Sequence, residues 1–138
     1  MMGLLKVFDI AGSSMSAQSV RLNTTASNLA NASTAAGSAK EAYRARQPVF
    51  QTVLDEQGGQ DGTAGVRVAG IVESQAEPLK VHQPGHPNAD ENGYVYMSNV
   101  NSVDELVNMI SASRSYQNSV EVLNTSKELL LRTLSLGQ

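Results

Sequence analysis

Cysteine and tryptophan are absent from the 138 residues, and aromatic side chains make up only 4%. Without cysteine there can be no disulfide, thiolate metal site or cysteine nucleophile. The chain could therefore occupy an oxidising compartment without redox chemistry. Without tryptophan, and with two phenylalanines and four tyrosines, a core must rely on Leu, Val, Ile, Met and Ala. An excess of one charge is missing too. Ten basic against 13 acidic residues, net −3, leaves no electrostatic footprint for nucleic acid and no polybasic patch for a membrane surface. No stretch approaches the roughly 18 apolar residues that a membrane span needs. Lys6 is followed by Asp9 inside what would be the apolar region of a secretory signal, so no cleavable signal is expected. The length suits one modest domain.

Charge is also missing locally. Residues 10–39 carry one charged side chain, Arg21, among Ser, Thr, Asn and Ala. A surface helix normally solvates its outer face with Lys and Glu. An uncharged helix either fails to form alone or packs its outer face against other chains. A disordered Ser/Ala-rich tail is the plainer reading, but the apolar spacing argues against it. Leu4, Phe8, Ala11, Met15, Gln18, Leu22, Thr25, Leu29 and Ala32 alternate steps of four and three, the 3.5-residue repeat of a coiled coil. At the other end, Leu106, Met109, Ser113, Tyr116, Val120, Leu123, Lys127, Leu130 and Leu134 do the same. Val103, Val107, Ile110, Val122 and Leu131 broaden that surface. Asn101 or Ser102 is the expected N-cap, and Asp104 and Glu105 suit a first turn.

The intervening residues 33–102 hold all four prolines and eight of the eleven glycines. Residues 44–54 read as an extended segment with Pro48 marking an edge strand. Residues 57–65 (QGGQDGTAG) read as a loop tip, and residues 66–74 alternate as a half-buried strand. Together they predict a long hairpin. Short strands are expected at 79–81 and 94–97, the latter after the Asn92-Gly93 turn signal. The predicted fold class is α+β. Long N- and C-terminal helices pair as an antiparallel coiled coil (residues 1–32 and 103–138), with a β-rich insert between them (residues 33–102).

Catalytic chemistry finds little support. His82, His86 and Asp90 have helical metal spacing, but Pro84, Gly85 and Pro87 forbid a helix. A third nitrogen or sulfur ligand is lacking, so a structural turn is preferred. A metal-dependent hydrolase at these residues is kept as a rival. Asp55-Glu56 and Asp90-Glu91 read as solvated loop charge. No phosphate-binding glycine loop and no nucleophile elbow occurs. No catalytic residue, metal or cofactor is assigned. Arg114 lies between Ser113 and Ser115, either as an exposed arginine or as a donor between subunits.

Ala26 to Thr34 (ASNLANAST) resembles the ANLANxxT motif of the bacterial flagellar rod and hook family. The C-terminal segment HPNADENGYVYMSNV, followed by SASRSY, resembles the proximal-rod branch of that family. The likeness spans nearly the whole chain. The first motif is shared by rod, hook and hook-associated proteins, whereas the second selects the branch. There are departures. Ser98 stands where a proline is usual, Asn118-Ser119 where Ala-Asn is common, and residues 33–42 diverge.

The resemblance implies a structural subunit of the proximal rod, the drive shaft crossing the periplasm of a motile bacterium. It implies export by the flagellar type III apparatus without a cleavable signal, followed by polymerisation. Implied partners are further copies of itself and the rod proteins FlgB, FlgF and FliE, with no nucleic acid and no membrane insertion. The terminal helices would then carry the interface: Leu4, Phe8, Met15, Leu22, Asn28, Leu29, Asn31, Leu106, Arg114, Tyr116, Val120, Leu123, Asn124, Leu130 and Leu134. Of these, Leu22, Leu29, Val120, Leu123 and Leu130 are expected in packing within the chain. Asn28, Asn31, Arg114, Tyr116 and Asn124 are expected in polar contacts. A cytoplasmic coiled-coil export adaptor or chaperone is the alternative.

Overall fold

The computed structural model describes residues 2–54 and 64–137. Asp55-Glu56 and residues 57–63 of the expected loop tip lie outside them. The elements run α1 (Met2–Ala30), β1 (Ala35–Ala36), β2 (Arg46–Leu54), β3 (Ala64–Glu73), β4 (Leu79–His82), β5 (Tyr94–Met97) and α2 (Ser102–Leu136). This is the expected α+β architecture of two long terminal helices packed together around a small β insert.

Local chemistry accounts for each element. Asn101 caps α2, its Oδ1 accepting from the amides of Val103 (3.1 Å) and Asp104 (3.3 Å). Asp104 and Glu105 place negative charge in the first turn, where the helix dipole favours it. At the end of α1, the Ser27 carbonyl accepts from both the amide (3.1 Å) and the side chain (2.9 Å) of Asn31.

β2 and β3 form an antiparallel two-stranded ribbon with Arg46 opposite Glu73 and Leu54 opposite Ala64. A separate three-stranded sheet has the order β1-β5-β4, with Val95 fully buried. Its turn is built by Asp90, whose Oδ1 accepts from the amides of Asn92 (2.9 Å) and Tyr94 (2.8 Å). Gly93 follows at φ +82°, a conformation glycine adopts without steric cost. β1 was not anticipated. It is two alanines held by β5.

α1 is the middle of the molecule. It packs against α2 and against both strands of the ribbon, whereas α2 packs against α1 and no other element among those described. This position explains much of the missing charge in residues 10–39. The ribbon of the same chain covers part of the uncharged face, so that face does not depend wholly on other chains. An isolated two-stranded ribbon is marginal in water, and α1 supplies its support.

Candidate assembly surface

The contact between the helices is polar at its centre. Asn28 Nδ2 donates to Glu105 Oε2 (3.1 Å), Arg21 donates to Asn108 Oδ1 (3.3 Å), and Ser14 Oγ lies 3.1 Å from Ser119 Oγ. Partner numbers fall along α2 as they rise along α1, so the helices are antiparallel. The buried residues of α2 are Glu105, Ala112 and Ser126. With Ser119 they form one line at seven-residue spacing. Small side chains let the helix axes approach closely, Glu105 and Ser119 bond to polar side chains of α1, and among the described residues no buried side-chain polar atom lacks a partner.

This register differs from the apolar repeats. At alternate positions the contact uses the preceding residue. Ser14, Arg21 and Asn28 meet α2 beside Met15, Leu22 and Leu29. Glu105, Ala112, Ser119 and Ser126 meet α1 beside Leu106, Ser113, Val120 and Lys127. Leu4, Phe8, Met15, Leu22, Leu29, Tyr116, Val120, Leu123 and Leu130 stand half-buried along the flanks. Leu106 is 50% exposed and Leu134 46%, outside the helix contact. Arg114 and Asn124 are exposed.

Asn28 is the joint of the fold. It is 1% exposed and uses its full hydrogen-bonding capacity. Nδ2 donates to the Arg46 carbonyl (2.8 Å) as well as to Glu105. Oδ1 accepts from the Tyr43 hydroxyl (2.9 Å) and the Arg46 amide (3.0 Å). One side chain thus ties α1 to α2, to the start of β2 and to the segment before it. Nearby, Ser98 donates to the Ala32 carbonyl (2.6 Å). Asn99 Oδ1 accepts from the Ala45 amide (2.6 Å), and its Nδ2 donates to the Ala76 carbonyl (2.8 Å). Sequence reasoning singled out Asn28 and Asn31 but missed Glu105, Ser98 and Asn99. The only signal for the last two was their place in the quoted C-terminal motif.

The outside of α2 is apolar towards its two ends, with exposed Arg114, Gln117, Glu121 and Glu128 between them. Val103, Leu106, Val107 and Ile110, at helical spacing, are all at least half exposed, with Val103 at 68%. Near the C-terminal end Leu131 (55%) and Leu134 (46%) share a second apolar face, while Leu129 (48%) lies on another side of the helix. Scattered exposed leucines are ordinary, but a contiguous stripe marks an interaction surface.

The candidate metal residues are occupied otherwise. His86 Nδ1 accepts from the Asn88 amide (3.0 Å), the His82 ring packs edge-on against Tyr94 (centroids 4.9 Å), and Asp90 builds its turn. Among the described residues no group of three His, Cys, Asp or Glu could hold a metal ion. No helix among them is long and apolar enough to cross a membrane.

Two helices with polar contacts between them and apolar side chains outside make a structural protein suited to packing among neighbours. Family comparison gives the class. Residues 8–37 match the family described as flagella basal body rod protein, and residues 91–136 match the flagellar basal body rod FlgEFG protein C-terminal family. The chain is 57% identical over 137 residues to the flagellar basal-body rod protein FlgC of Salmonella typhimurium, covering 99% of this chain and 100% of the relative. It is 58% identical to FlgC of Yersinia enterocolitica and 44% identical to FlgC of Buchnera aphidicola subsp. Schizaphis graminum, with the same coverage of each. The chain belongs to the FlgC family of flagellar basal-body rod proteins.

Proposed function

We propose that this chain polymerises into the proximal rod of the flagellar basal body after export through the flagellar type III apparatus, and that the rod serves motility. The observation that carries the reading is the distribution of apolar groups. α2 buries Glu105, Ala112 and Ser126 and leaves most of its large aliphatic side chains exposed. A subunit whose apolar surface faces outward gains most of its hydrophobic stabilisation on joining neighbours. A heterologous contact that does not close produces a helical shaft.

The outer stripe of α2 would then meet further copies and the rod proteins FlgB, FlgF and FliE. Leu106, Arg114, Asn124 and Leu134 are the interface residues that the helix pair leaves exposed. The terminal helices (residues 1–32 and 103–138) would form the shaft, and the insert (residues 33–102) its outer layer.

The test is mass spectrometry of detergent-purified hook–basal bodies, with a deletion strain in parallel. The chain is expected there in several copies, and no rod should be completed in its absence. Intact basal bodies in the deletion strain, with the chain confined to the cytoplasm, would favour the adaptor reading instead.

A further inference from the structure

The hydrogen bonds of the ribbon show which way its edges face. The Ser74 amide donates to the Ala45 carbonyl (2.8 Å), so these residues bond across the ribbon. At the next residue, Arg46, both main-chain groups therefore point away from β3, and the Asn28 amide takes both. Asn28 occupies the position that a third strand would occupy.

The same outward direction recurs at Pro48, Phe50, Thr52 and Leu54. On β3 the register jumps from Val49↔Gly70 to Phe50↔Val68, leaving Ala69 as an extra residue. Beyond that bulge the Val66 amide points outward and donates to Ser13 Oγ (3.1 Å). Helix α1 therefore crosses the ribbon obliquely. It covers the β2 edge near the base and the β3 edge near the tip.

Two half-edges stay uncovered, Phe50–Leu54 on β2 and Val68–Val72 on β3. Neither contains a charged residue. Every residue of the first is exposed, as are Ile71 and Val72 of the second. Edge strands are normally guarded by lysine, proline or a bulge. Here Pro48 stands just before the first segment and the Ala69 bulge interrupts the second beside Val68, which leaves Phe50–Leu54 and Gly70–Val72 unguarded.

We infer that the open β2 edge of one copy pairs with the open β3 edge of a second copy, continuing the ribbon into an antiparallel sheet. This rests on the rod reading, because only a shaft whose subunits all point one way requires it. Pairing β2 with β2 would reverse one ribbon and close a two-fold dimer. Pairing β2 with β3 keeps every ribbon parallel to the next and leaves an edge for another copy. The open halves are offset. Thr52 lies opposite Val66, whereas Ile71 lies opposite Pro48. Successive copies are thus shifted by four residues, roughly 13 Å at strand spacing, which suits a helical and not a flat ring.

The absence of cysteine makes the test clean. Within one chain, positions 52 and 71 are too far apart for a disulfide, which needs α-carbons within roughly 7 Å. Basal bodies would be purified from strains carrying Thr52→Cys with Ile71→Cys, or either change alone, then oxidised and run without reductant. The double variant should give dimers, trimers and higher species, while each single variant stays monomeric. Dimer from Thr52→Cys alone would show the two-fold arrangement and overturn the inference. So would a double variant present in basal bodies but not crosslinked. Absence of even the wild-type chain from basal bodies would sink the rod reading and this inference together. Thr52→Pro is an independent check. It removes an outward amide and keeps the ladder to β3, so it should lower basal-body yield at least tenfold, and unchanged yield would count against the pairing.

Discussion

The joint around Asn28 and the outer stripe of α2 are built on opposite principles. At the joint, polar atoms are buried and bonded to one another. Along the stripe, aliphatic side chains are left in water. Most single domains do the reverse and keep apolar groups for their own core. The joint therefore holds the subunit in shape, whereas the stripe contributes little until something covers it. Changes in the two regions should separate subunit stability from assembly.

The largest effect on stability is expected at the joint. Asn28→Ala removes all four bonds and leaves the buried Glu105 carboxylate and both Arg46 main-chain groups without this partner. An unsatisfied buried group costs about 1–3 kcal/mol, more when charged. The loss should be about 3 kcal/mol or more in a urea titration of the purified chain. An unchanged midpoint would show that the joint is not where the fold is held.

The second effect lies midway along the helix contact. Ala112 is 0% exposed, so Ala112→Leu must push the helices apart, at about 1–3 kcal/mol for an overpacked site. Ala112→Gly separates crowding from helix propensity, and should cost no more than about 1 kcal/mol from propensity plus a small cavity.

The smallest effect on stability belongs to the stripe. Val107, 61% exposed, should tolerate Val107→Asp within about 0.5 kcal/mol, yet motility in soft agar should be lost. Unchanged motility in soft agar would count against the stripe as an assembly surface.

Much of this comparison was legible in the sequence, but not its register. Heptad spacing revealed both helices, and period-two alternation with a glycine-rich loop revealed the ribbon. Asn92-Gly93 marked the turn that Gly93 makes at positive φ. The helix contact was displaced by one residue at alternate positions because apolar spacing records every surface that will be covered, including surfaces on other molecules. Met15 and Leu106 belong to the repeats, yet Ser14 and Glu105 make the contact. β1 escaped notice because two alanines carry no strand propensity of their own and owe their conformation to β5. Asn28 could be marked as a polar position, but its bonds to Arg46 and Glu105 join residues 18 and 77 positions apart, beyond the reach of local pattern.

That separation has a kinetic consequence. The joint uses Asn28 from the first helix, Tyr43 and Arg46 from the middle, and Glu105 from the last helix, so it cannot close on a partial chain. Loop closure must come before such distant contacts can add stability, which slows folding. A chain emerging N-terminus first stays open until α2 arrives, and one emerging C-terminus first until α1 arrives; only then does it lock at a single amide.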